Sequence, residues 1–295
     1  MYQPVVVPRE RFVELRGLRH RVLEWGPEHE SALTPSWHLL HGFQDTSDTF
    51  QFLIDALPRH WRFTAADLRG FGHSEATHAP YWYPDYLADL DGMLDLLSPQ
   101  VPVRLIGHSL GGNVASMYAG IRPERVQRLV SLEGFGLRRT VSAEAPQRYA
   151  EWLQELRTEP PAGTYASFDV LAAKLRHRNP RLPAAHADFI ARAWTRDRAD
   201  GGVELCFDPW HRLVNPVLYR REEAEACWRN VTAPTLLVLA DESEFLARLR
   251  KNGDADSLDR SFPDTTIVSL PGLGHMMHHE DPVAVAAAIT GWCSG

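Results

Sequence analysis

The stretch Val103–Gly112, VRLIGHSLGG, decides how this chain is read. An apolar run with strand character leads straight into Gly107-His108-Ser109-Leu110-Gly111, and small residues suited to a helix follow at once. A serine held between glycines at such a strand-to-helix turn is forced into a strained backbone that lifts its hydroxyl clear of the sheet. The glycines are needed because side chains there would collide with neighbouring backbone. The helix start adds free N–H groups and positive dipole beside any oxyanion that forms. With 20 glycines in 295 residues, the bare Gly-x-Ser-x-Gly pattern arises by chance in roughly one such chain in fifteen. Its setting gives it weight.

Outward from this turn, short apolar segments alternate with helical patterns, which predicts an α/β fold with a mostly parallel eight-stranded sheet flanked by helices. Arg11–Leu15 and His20–Trp25, joined around Gly17, read as an antiparallel hairpin at one edge. Further strands are expected at Trp37–His41, Phe63–Asp67, Val103–Gly107, Leu129–Glu133, Thr235–Ala240 and Thr265–Leu270. Several are almost wholly apolar, as strands covered on both faces are. Leu87, Leu90, Leu94 and Leu97 recur at helical spacing within Pro84–Leu97. Asp281–Pro282 supplies a cap and a first-turn proline for a last helix ending near Gly291. The alternation breaks over residues 134–230, where Arg-, Ala-, Glu- and Trp-rich segments are punctuated by prolines and carry no strong strand. About a hundred residues is too long for one structureless loop. They read as a helical cap, or lid, inserted after the sixth strand of a core made from residues 1–133 and 231–295.

Composition excludes several classes. Hydrophobic residues at 44% and charged residues at 23% describe a globular chain, not a disordered or collagen-like one. No period of 20–50 residues repeats, which argues against solenoids and propellers. The longest apolar runs, such as Pro234–Ala240, fall far short of the roughly 20 residues that span a bilayer. No secretory pattern opens the chain, and Cys206, Cys227 and Cys293 are too few and scattered for a disulfide framework. A reducing cytoplasm is therefore expected. The net charge is −7, and all but two of the 31 basic residues (Lys174 and Lys251) are arginines, scattered along the chain. Such a chain is a poor nucleic-acid binder. The expected partner is a small-molecule substrate, with neither nucleic acid nor membrane; oligomeric state leaves no mark.

The chemistry needs more than Ser109. The segment Trp37–Leu40 runs into His41-Gly42-Phe43, and an N–H just after such a strand pairs with the one after the serine to form an oxyanion hole. Phe43 and Leu110 are assigned that role. A free hydroxyl is a poor nucleophile at neutral pH, so Ser109 needs a base. With 14 histidines in the chain, position must select it. His275 follows the last strand in Pro271-Gly-Leu-Gly-His275, before the final helix. His278 and His279 lie just beyond, but no carboxylate or cysteine cluster accompanies them at ligand spacing. They read as polar residues of a loop or helix entrance, and no metal or organic cofactor is expected.

The chain resembles the α/β-hydrolase fold superfamily over nearly its whole length. HGFQD (41–45), DLRGFGHS (67–74), GHSLGG (107–112), RPERVQRLVSLEG (122–134), APTLLVLA (233–240) and LPGLGHMMHHEDP (270–282) carry the resemblance. Within it, the chain looks like the serine-hydrolase-like and the epoxide-hydrolase or haloalkane-dehalogenase members, which bear a helical cap between strands six and seven. Those dehalogenases and epoxide hydrolases use an aspartate nucleophile, where this chain has Ser109, which argues against either activity. The resemblance also implies a third residue, an acid about three residues past strand seven, but that slot holds Ser243. Asp241 is nearby yet out of register. The superfamily's other location is the tip of strand six, where Glu133 stands. Glu133 is therefore the favoured acid and Asp241 the alternative. Asp67, Arg69 and His73 read as structural groups of the loop after strand four.

The implied function is a serine-dependent hydrolase of a carboxylic ester with a small or medium hydrophobic acyl group. The same triad also serves C–C bond hydrolysis, acyl transfer or cofactor-free peroxidation, and the scaffold can serve as a non-catalytic binding protein. Trp152, Phe168, Phe189, Trp194, Trp210, Tyr219 and Trp228 in the cap are individually better read as packing than as substrate contacts.

Overall fold

The computed structural model describes residues 2–27, 36–255 and 257–295. Strands β1 (Arg9–Leu15), β2 (Leu18–Trp25), β3 (Trp37–Leu40), β4 (Phe63–Ala66), β5 (Val103–His108) and β6 (Val126–Leu132) come first. Three short ones follow, β7 (Thr164–Tyr165), β8 (Thr195–Asp197) and β9 (Val203–Leu205), then β10 (Thr235–Ala240) and β11 (Thr265–Leu270). The helices are α1 (Gln51–Ala56), α2 (Tyr83–Leu97), α3 (Leu110–Ile121), α4 (Ala145–Glu155), α5 (Phe168–Arg178), α6 (Ala184–Ala193) and α7 (Arg221–Arg229). After β10 come α8 (Glu244–Lys251), α9 (Leu258–Ser261), α10 (Met277–Glu280) and α11 (Pro282–Ser294). This is the alpha/beta hydrolase fold: an eight-stranded sheet in the order β1-β2-β4-β3-β5-β6-β10-β11, flanked by helices. β2 pairs antiparallel with both β1 and β4, and the remaining pairs are parallel.

The apolar strands are explained by burial on both faces. Leu105 turns into a layer with Tyr86 and Leu94 of α2, Val114 and Tyr118 of α3, and Trp228 of α7. Its neighbour Ile106 turns the other way, toward Leu53 of α1 and Val285 and Ile289 of α11. Strand side chains alternate between faces, so a strand covered twice must be apolar at every position. The last helix starts as its sequence dictates: Asp281 Oδ1 accepts the Ala284 N–H at 2.9 Å, with Pro282 in the first turn.

The segment between β6 and β10 differs from its expected form. Beside its helices it holds a small antiparallel sheet, β7-β9-β8. Two- and three-residue strands such as Thr164–Tyr165 and Thr195–Asp197 are too short to show alternation, and their partner Val203–Leu205 is remote from Thr164–Tyr165 in sequence. This segment packs its own small core (Leu171, Leu182, Ala187, Ile190) onto Phe52 of α1. A second attachment is the His211 ring, stacked between Tyr81 and Phe71 at 3.5 and 3.9 Å. Its Nδ1 meets Tyr86 Oη at 3.0 Å and its Nε2 meets the Arg69 carbonyl at 3.1 Å. Burial lowers its pKa to about 3, so the pin is neutral. Among the described residues no helix is long and apolar enough to cross a membrane.

Candidate active site

Ser109 sits between β5 and α3 with φ 50° and ψ −112°, a backbone region that side-chain-bearing residues avoid. A Cβ on Gly107 would run into the Gly111 carbonyl, and one on Gly111 into the Leu40 carbonyl, so β3, β5 and α3 close on each other only through glycine. Strain is concentrated here. Five non-glycine residues have positive φ among those described, and three of them (Gln44, Ser109 and Glu133) belong to this region.

The turn after β11 brings His275 to the serine. Its Nε2 lies 3.0 Å from Ser109 Oγ, and its Nδ1 lies 3.2 Å from Glu133 Oε2. A carboxylate only accepts, so Nδ1 carries the proton and Nε2 presents its lone pair to the serine hydroxyl. Glu133 is 2% exposed. Its Oε1 accepts the Ala240 N–H at 2.9 Å, and its Oε2 also accepts the Ser243 hydroxyl. Asp241 goes elsewhere: exposed, it accepts the Gly272 N–H at 2.6 Å and fastens the turn after β11. The geometry therefore brings Glu133, and not Asp241, to His275.

Ser243 was legible only as a missing acid. Its hydroxyl donates to Glu133 and accepts the Leu246 N–H at 3.3 Å, capping α8. Glu280 was not legible at all. Its Oε2 accepts the Gly274 N–H at 2.7 Å, one residue before His275, and Arg181 Nε at 3.0 Å; Oε1 accepts Asn179 Nδ2 at 2.7 Å. His108 supports the same loop by donating Nε2–H to the His275 carbonyl at 2.9 Å. Burial pushes its pKa well below the usual imidazole value, and the neutral ring fits that role.

The loop after β3 lies against the strand-to-helix turn at Ser109, where a Cβ on Gly42 would be 3.4 Å from Ser109 Cβ and 2.6 Å from the His108 ring. Phe43 follows it, 46% exposed. Neither the Phe43 nor the Leu110 N–H is spent on another described residue. Asp67 and Arg69 are structural, as expected. Asp67 accepts Ser47 N–H, Ser47 Oγ and His73 N–H at 2.8, 2.6 and 2.9 Å, and Arg69 grips Asp89 through two bonds. His73 contributes its backbone, while its side chain is exposed.

His278 and His279 sit at a helix entrance, one of the two placements expected, but they are buried there. They lie in α10 at 0% and 2% exposure, and Asp45 from the loop after β3 joins them. Several of the aromatic side chains between β6 and β10 pack as expected: Trp228 belongs to the main core, and Phe189 and Trp194 pack against the small one. The aromatic ring on the candidate base comes from α8 instead, where Phe245 packs against His275 at 4.4 Å and remains 51% exposed.

Known proteins agree with this architecture. A family model described as alpha/beta hydrolase fold matches residues 39–282. The chain is 30% identical over 289 residues to a serine hydrolase-like protein of Danio rerio, covering 94% of this chain and 84% of the relative. It is 26% identical over 265 residues to a 2-(acetamidomethylene)succinate hydrolase of Mesorhizobium japonicum, covering 88% of each. In fold it superimposes on the thioesterase domain of the curacin biosynthetic pathway with a TM-score of 0.82, at 24% identity, over 97% of this chain and 99% of that one. By sequence match and by architecture, the chain belongs to the alpha/beta hydrolase fold family.

Proposed function

We propose that the protein is a serine hydrolase of carboxylic esters, working through an acyl-enzyme. The observation that carries this reading is the unbroken line from Ser109 Oγ through His275 to Glu133. Ser109 attacks the ester carbonyl as its proton passes to His275 Nε2. Glu133 holds Nδ1–H and offsets the positive charge that the ring acquires. The Phe43 and Leu110 amides receive the oxyanion, a contact worth roughly 3–4 kcal/mol of barrier per donor. His275 then returns the proton to the departing alcohol oxygen. Water enters, gives a proton to His275 and attacks the acyl carbon. The carboxylic acid leaves as Ser109 regains its proton.

The half-exposed rings of Phe43 and Phe245 favour an apolar acyl group beside the site. The segment between β6 and β10 is read as the cap over it.

A fluorophosphonate probe tests the mechanism. The expected result is one adduct mass located on Ser109, absent in Ser109→Ala and in His275→Ala. A folded wild-type protein that resists labelling would count against hydrolysis and leave the binding-protein reading. A chain-length series of activated esters then ranks acyl groups.

A further inference from the structure

Behind Ser109 and His275, the loop after β3 meets α10 in a buried polar knot. Asp45 ends the HGFQD run that carries Phe43, while His278 and His279 follow His275 by three and four residues. Asp45 is 1% exposed, as closed off as the two histidines. Its Oδ1 is fully engaged, accepting Thr46 N–H at 2.8 Å, Thr49 Oγ1–H at 2.7 Å and Trp194 Nε1–H at 2.8 Å. Oδ2 is different. It faces His278 Nε2 at 3.6 Å and His279 Nε2 at 3.4 Å, and none of these three atoms has a hydrogen-bond partner among the described residues.

A buried polar atom left without a partner costs about 1–3 kcal/mol, so three turned toward one another call for a common occupant. The spacing suits a cation. Ligand atoms about 2.0–2.1 Å from a tetrahedral zinc ion stand about 3.4 Å apart, and all three atoms here lie within 4.8 Å of one another. Two imidazoles and one carboxylate are the donor set of zinc-like cations; magnesium and calcium prefer oxygen throughout. The three donors on Asp45 Oδ1 orient the carboxylate from behind, as outer partners of metal ligands do.

We propose that Asp45, His278 and His279 bind one divalent transition cation of the zinc class. The cation ties the loop bearing Phe43 to the helix that follows His275 and takes no part in acyl transfer. The site does not depend on whether Ser109 is a nucleophile.

The test uses full-length protein, stripped with a chelator, desalted and titrated with Co²⁺ and then Zn²⁺. The expected result is one equivalent of Co²⁺ with the intense visible absorption of four-coordinate cobalt, displaced by one equivalent of Zn²⁺. At a hundredfold excess of Zn²⁺ over Kd, Tm rises by roughly 5 °C. Asp45→Asn and His279→Gln each weaken binding at least tenfold. Two results would overturn the site: a wild-type protein giving only the pale spectrum of six-coordinate cobalt, or tight binding unchanged in both variants. Either would leave the His278 and His279 rings turning N–H groups toward Asp45 as the account of the knot. Should the variants fail to fold, the wild-type cobalt spectrum and melting shift decide alone.

Discussion

The tips of β6 and β10 are neighbours in the sheet and each ends in an acid, yet the two tips are built differently. Glu133 has φ 56°, is buried, and is held by the Ala240 N–H and the Ser243 hydroxyl with its carboxylate turned on His275. Asp241 is exposed and fastens one turn through the Gly272 N–H. The lesson is that proximity along a strand end does not assign an acid. What assigns it is which carboxylate the surrounding donors aim at the imidazole. Here the side chain at the position where relatives by resemblance carry the acid, Ser243, serves the acid of the other strand.

The largest expected effect breaks the β6 tip: Glu133→Gln should lower kcat on an activated ester by about 10³–10⁴-fold, because the amide cannot support the imidazolium. The next moves the acid across. Adding Ser243→Asp to Glu133→Gln should recover at least tenfold of that loss in the same assay; no recovery would mean that the β10 tip cannot aim a carboxylate at His275. Ser243→Ala removes one donor to Glu133 and should cost about tenfold in kcat, roughly 1.4 kcal/mol, with KM little changed. Asp241→Asn should be the mildest: under twofold in kcat, with about 1 kcal/mol lost in urea melts as the turn at Gly272 loosens. A kcat loss at Asp241 larger than at Glu133 would reverse the assignment.

Much of this was written locally. The turn at 107–111, the two-faced strands and the cap of the last helix follow from residues adjacent in sequence, and the structure places them within a residue or two of expectation, though β6 begins three residues sooner. Glu133 was legible as the favoured acid by its place at a strand tip, but the direction of its carboxylate was not, because spacing does not fix the aim of a side chain at positive φ. Asp45 and Glu280 were opaque for another reason. Their partners lie far along the chain, and only the closed fold brings Asp45 to α10 or Asn179 and Arg181 to Glu280. The small sheet β7-β9-β8 escaped because strands of two or three residues carry no period.

Glu280 has a consequence for timing. The same carboxylate holds two residues of the segment between β6 and β10 and the amide next to His275. A lifting of that segment near α5 would draw Asn179 and Arg181 away from Glu280 and leave the carboxylate that holds the Gly274 amide with fewer partners. If a substrate enters by such a movement, Glu280 is the side chain through which entry and the placement of His275 would be geared together.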